Sequence, residues 1–127
     1  MTTVDVDGYL RRIGYAGSTA PTLATLRGLT LAHVMAIPFE NIDVLLGRGI
    51  DISLPAIEAK LVHGGRGGYC FEQNTLLLAV LEALGFRVTP VSARVRLQRP
   101  RDFTPARTHV FLRVELDGES WLADVGV

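Results

Sequence analysis

The chain has 127 residues, enough for one core of ordinary size. Hydrophobic residues make up 48% and charged residues 20%, the balance of a soluble globular domain. Thirteen basic and thirteen acidic residues cancel, which gives no reason to expect nucleic acid or an anionic membrane as the main partner.

The first predicted element is a helix over Asp5 to Ile13, with Val6, Tyr9, Leu10 and Ile13 on one face and Gly14 to stop it. A second spans Pro21 to His33, with Leu23, Leu26 and Leu29–Leu31 as its apolar positions. IPFENIDVLLGRGIDI reads as a loop with short extended pieces. SLPAIEAKLV then starts a helix with Ser53 as N-cap, Pro55 in the first turn, and Ile57, Leu61 and Val62 on one side. The strongest helix runs from about Cys70 to Leu84, rich in Leu and Ala, with Gly85 as its C-cap. After Gly85 the period changes. FRVTPVSARVRL sets Val88, Val91 and Val95 among polar residues and reads as strand. QRPRDFTPARTH is a predicted loop, with Pro100 and Pro105. HVFLRVEL, Asp117-Gly118 and ESWLADVGV form a predicted hairpin, since Asp-Gly suits a tight type I′ turn. Helices first and antiparallel strands second give the class α+β.

One cysteine forms no internal disulfide, so a reducing, cytoplasmic setting is expected. The start, MTTVDVDGYLRR, has early acids and no apolar segment of the signal-peptide kind, and no apolar run is long enough for a membrane span. The sequence stops on WLADVGV, inside a strand-like run, and a fragment of a longer protein is expected.

That cysteine, Cys70, stands in RGGYCFEQN at a predicted helix N-terminus. Free N–H groups and a partial positive charge there favour a thiolate. Gly67 and Gly68 let the chain turn sharply and let a substrate approach. A buried structural cysteine is an equally weighted reading of the position alone. A nucleophile needs a base. His33, among apolar neighbours, reads as a packing or surface residue, and His63 as a cation at a helix C-terminus. His109 follows the Pro-rich loop and opens a strand. With a two-residue turn, Leu116 pairs with Glu119, and Asp124 falls opposite Phe111, diagonal to His109. A carboxylate in the apolar run around Asp124 needs a partner, and an imidazole N–H supplies it; the alternative is an aspartate just past the strand end.

RGGYCFEQN, PFEN at 38–41, THVFL at 108–112 and LADVGV at 122–127 together resemble the arylamine N-acetyltransferases in order and spacing, along the whole chain. The resemblance implies an N-terminal helical bundle (1–84) followed by the first antiparallel strands of a β-barrel (85–127), a cysteine-protease-like catalytic core, and a C-terminal lid missing here. It implies a triad of Cys70, His109 and Asp124 that takes acetyl from acetyl-CoA as a thioester. The group then passes, in ping-pong order, to an arylamine, arylhydrazine or arylhydroxylamine, with no metal. It further implies that Arg66, Glu40 and Asn41 form a supporting polar network and that the Asn74 amide holds Asp124. Phe39 and Tyr69 would line the acceptor pocket, with simple core packing an equally weighted alternative; Val127 would touch the acceptor ring, and Gly126 is what remains of a cofactor-phosphate loop. Exposed barrel edges would invite self-association. Relatives that close macrolactams from carrier-bound acyl chains, papain-like thiol hydrolases and a non-catalytic interaction module are the competing readings.

Overall fold

The computed structural model describes residues 4–47, 51–94 and 107–126. Val95, the Pro100–Pro105 loop and Val127 therefore lie outside the described residues.

Helix α1 spans Val6–Ile13. The Asp5 carboxylate accepts the Gly8 N–H at 2.9 Å, and Gly14 ends the helix in the left-handed region at φ 69°. The expected face is the buried one: Tyr9 and Ile13 are in the core, with Val6 and Leu10 packed beside them. Helix α2, Leu23–Ala36, starts later than expected because Thr22, not Pro21, caps it, accepting the Thr25 N–H at 3.3 Å. Leu26 and Leu29 are buried, whereas Leu31 is 61% exposed, since two residues along a helix is about 200° around it.

The segment after α2 is not only loop. Ile42–Leu45 makes one helical turn, α3, and the extended part reduces to a single parallel bridge between Phe39 and Gly68. Helix α4, Leu54–Ile57, continues into a π-helical turn over Glu58–His63. Ser53 occupies the N-cap, but its side chain makes no capping hydrogen bond; its carbonyl accepts the Ile57 N–H at 3.0 Å. Ile57, Leu61 and Val62 are buried as expected. Helix α5, Cys70–Ala83, ends one residue early, with Leu84 at the cap and Gly85 left-handed just beyond at φ 96°.

The sheet has three strands in order β1-β2-β3: Arg87–Arg94, Arg107–Leu116 and Glu119–Ala123. Both pairs are antiparallel. Asp117 and Gly118 have φ 51° and 79°, the two positive values that a type I′ turn demands. Leu116 consequently pairs with Glu119, and the register runs on to Leu112 opposite Ala123. On β1, Val88 packs on the core, but Val91 is three residues on and alternation carries it to the other face. Leu112, Val114 and Ala123 are buried and join Leu76, Leu77, Val80 and Leu81 of α5 in one cluster. Each such burial removes about 1.5–3 kcal/mol worth of apolar surface from water. This packing of the hairpin on α5 brings the two halves of the site together.

Candidate active site

Cys70 is the first residue of α5 and is 6% exposed. The loop in front of it is bonded on both edges. Gly68 N–H donates to the Pro38 carbonyl at 3.3 Å, and the Gly68 carbonyl accepts the Glu40 N–H at 2.9 Å. Tyr69 N–H donates to the Glu72 carboxylate at 3.2 Å, the N3-to-N-cap bond of a capping box. A Cβ on Gly67 would strike the Pro38 carbonyl, so only glycine fits there.

His109 and Asp124 meet. Nε2 of His109 lies 2.5 Å from Oδ2 of Asp124, both side chains partly buried. A carboxylate only accepts, so Nε2 carries the proton and Nδ1 is the nitrogen left to take one. Strand β3 ends at Ala123, so Asp124 is the first residue past the paired strand, yet it reaches His109 as the register implies. Asn74 completes the group. Its Nδ2 donates to Asp124 Oδ1 at 3.0 Å and to the Val110 carbonyl at 2.7 Å, and its Oδ1 accepts the Val125 N–H at 3.0 Å. The Gly126 N–H adds a bond to Asp124 Oδ1 at 2.9 Å. Burial pushes the Asp124 carboxyl up, but the bonds from Asn74, His109 and Gly126 outweigh it and hold it below the usual range. Gly126 is buried against Cys70 itself: a Cβ there would sit 2.5 Å from Cys70 Cα and 3.0 Å from Asn74 Nδ2. Asn74, Asp124 and His109 thus form one bonded group, and the Gly126 backbone packs it against Cys70.

The polar support differs from expectation in membership. Arg66 pairs with Glu40 and, at 3.3 Å, with Asp43. Glu40 also accepts the Gly67 N–H at 3.0 Å. Burial raises its carboxyl, but these two donors prevail and hold it low. Lys60 bridges Asp43 and Glu72, 3.0 Å from each. Asn41 is exposed, and its carbonyl accepts the Leu45 N–H at 3.0 Å, closing the α3 turn; Asp43, Lys60 and Glu72 take the place expected of it. Arg12 binds a second set of segments, donating to the carbonyls of Leu61 at 2.8 Å, Ala36 at 2.9 Å and Arg66 at 3.4 Å. Phe39 is 52% exposed, and Tyr69 is partly buried with its ring 5.6 Å from that of Phe71. His63 lies 3.6 Å from Asp5 at the protein surface.

His33 takes the packing place that was one of its two expected settings, but its buried hydrogen bonds were not foreseen. It is fully buried and bonded on both ring nitrogens, to Tyr9 Oη at 2.7 Å and Gln73 Oε1 at 2.6 Å. A signal existed: Gln73 lies inside the cysteine motif and needs a partner if its helix face is buried. Among the described residues, no group of three or more His, Cys, Asp or Glu side chains is gathered as a metal site, and no helix is long and apolar enough to cross a membrane.

Residues 22–127 match a family described as N-acetyltransferase. The sequence is 50% identical over 118 residues to the arylamine N-acetyltransferase of Escherichia coli (strain K12), covering 93% of this chain and 42% of that protein. It is 49% identical over 127 residues to that of Mycolicibacterium smegmatis, covering 97% and 46%. The fold superposes on the arylamine N-acetyltransferase structure from Salmonella typhimurium with a TM-score of 0.92 at 44% identity, over 98% of this chain and 46% of that one. It also superposes on the Mycobacterium marinum arylamine N-acetyltransferase in complex with CoA, TM-score 0.90 at 48% identity, over 96% and 46%. The chain therefore spans less than half the length of these relatives.

Proposed function

The chain belongs to the arylamine N-acetyltransferase family, and on that premise we propose that the whole protein transfers acetyl from acetyl-CoA to an arylamine, arylhydrazine or arylhydroxylamine through a thioester on Cys70. The single observation that carries the reading is the His109–Asp124 pair at 2.5 Å, held by Asn74 one turn along α5 from Cys70. His109 Nδ1 takes the thiol proton as the sulfur attacks the acetyl carbonyl. The carbon–sulfur bond to CoA breaks, and His109 returns the proton to the departing thiolate. The amine nitrogen then attacks the acetyl-cysteine, giving its proton to Nδ1 while the Cys70 sulfur leaves. Asp124 keeps the ring turned and stabilises its cation at each transfer. The helix N-terminus and the bonded glycine loop hold the sulfur in place.

The same reading gives residues 1–84 and 85–127 as the helical and barrel-opening parts, with Phe39, Tyr69 and Val127 toward the acceptor and a cytoplasmic setting. Gly126 serves here by letting the Asp124 segment lie against Cys70, which supports a packing role beside the cofactor one. The test is intact-mass measurement after incubation with acetyl-CoA or a phenyl acetate ester. One acetyl group on the wild type and none on Cys70→Ala is the expected result. An unmodified wild type, or a modified Cys70→Ala, overturns the proposal.

A further inference from the structure

Three fully buried polar side chains lie outside the acyl-transfer group and yet end on the cysteine loop: Tyr9, His33 and Gln73. Their hydrogen bonds have one possible direction. The Gln73 amide nitrogen, which only donates, lies 2.8 Å from the Pro38 carbonyl and 3.1 Å from the Gly68 carbonyl. Its oxygen therefore faces His33, whose Nε2 must carry a proton to donate across 2.6 Å. Nδ1 is then bare and accepts the Tyr9 hydroxyl at 2.7 Å. The chain runs from Tyr9 on α1, through His33 on α2, to Gln73 on α5, and terminates on the two carbonyls that flank the bridge between Phe39 and Gly68.

The consequence concerns one peptide unit. Its carbonyl, from Gly68, accepts from Gln73 and from the Glu40 N–H; its N–H, on Tyr69, donates to Glu72. Glu40 and Glu72 tie this peptide at its two ends, but Gly68 has no side chain to fix its plane, and the Gln73 bond supplies the third tie directly ahead of the nucleophile. We propose that Gln73, aimed by His33 and Tyr9, is a positioning residue that fixes the Gly68–Tyr69 peptide and thereby the direction in which Cys70 offers its sulfur to an acyl donor. Burial, which holds the His33 ring well below its ordinary value at about 4, keeps it neutral and the chain in this polarity. The inference rests on the thioester reading above.

The experiment measures Cys70 acetylation by a phenyl acetate ester, with thermal stability in parallel. In Gln73→Leu the two carbonyls keep their backbone donors, Glu40 N–H and Gly68 N–H. The maximal acetylation rate is expected to fall about 10–100-fold with the half-saturating ester concentration unchanged, since a small misalignment of reacting atoms costs that much. His33→Leu follows it. His33→Gln, whose amide can accept from Tyr9 and donate to Gln73, recovers most of the rate. A Gln73→Leu rate within about threefold of wild type overturns the inference while leaving the thioester reading intact. A wild type that takes no acetyl group sinks the thioester reading itself. If the leucine variants do not fold, nitrogen-15 NMR of the wild-type ring decides: a proton on Nε2 and a bare Nδ1 support the chain, and a proton on Nδ1 means that the Gln73 amide is reversed and overturns it.

Discussion

Asn74 holds Asp124 through its amide nitrogen, 3.0 Å from Oδ1, and holds the next residue through its amide oxygen, which accepts the Val125 N–H at 3.0 Å. An asparagine buried on α5 thus sets both the position and the angle of the segment that leaves β3. The imidazole of His109 is oriented in turn by the carboxylate so held.

Asn74→Ala should lower the rate of Cys70 acetylation about 10–100-fold, because Asp124 loses its aim. It should also cost about 1–3 kcal/mol of stability through buried groups left unpaired. Asp124→Asn keeps the shape but not the charge, and a fall of roughly 10³–10⁴ in rate is expected. Stopped-flow release of nitrophenol from its acetate ester measures both. A fall of less than tenfold in Asp124→Asn would contradict the role given to the carboxylate.

Acid should weaken the fold in two separate windows. His33 has its folded value lowered from the ordinary 6.5 to about 4, by burial first, against the opposing Gln73 bond, with the Arg12 charge adding to it. The unfolded chain then binds the extra proton first. Stability is complete above about pH 6.5 and declines as pH falls toward 4, by a total of about 3 kcal/mol. Asp124, whose folded value is depressed, contributes stability above its ordinary 3.8 and loses it as pH falls further. Urea midpoints taken every half pH unit should show the first decline in wild type and a flatter profile in His33→Gln.

Gly126→Ala forces a methyl group to within 2.5 Å of Cys70 Cα, and the Asp124 segment must retreat. A stability loss of about 1–3 kcal/mol is expected, with slower acetylation. Gly47→Ala is the control, since nothing lies within 4 Å of the added carbon and only its positive φ of 70° is strained. Chemical denaturation combined with ester turnover separates the two variants: Gly47→Ala should change stability alone.

Arg66→Ala should slow Cys70 modification about tenfold, since Glu40 and Asp43 both lose the Nη2 group they share and Glu40 is no longer held beside the Gly67 N–H. Iodoacetamide labelling followed by mass spectrometry reads this directly. An unchanged labelling rate would show that the ion pairs support the fold without reaching the thiol.

Local chemistry made much of this readable in the sequence. Asp5 and Gly14 mark the ends of α1, and Asp117-Gly118 fixes the hairpin register that carries Asp124 to His109. The α3 turn was hidden because a single helical turn leaves no periodic pattern. Lys60 gave no sign of its place between Asp43 and Glu72, since a lysine on a helix ordinarily faces water. His33 was concealed by apolar neighbours in sequence; only folding supplies its partners, 24 residues back and 40 residues ahead. Asn41 was given a role by motif position, but its neighbour Glu40 points to Arg66 and Asn41 itself faces solvent.

The separation of Asn74 and Asp124 by 50 positions has a consequence during biosynthesis. A ribosome adding about 5–20 residues per second needs roughly 3–10 s to travel that far. Throughout this interval the nascent sulfhydryl exists without its later companions, and the helix that bears it has no hairpin to cover it. Oxidants and electrophiles meet a maturing polypeptide whose one thiol is made early and sheltered late.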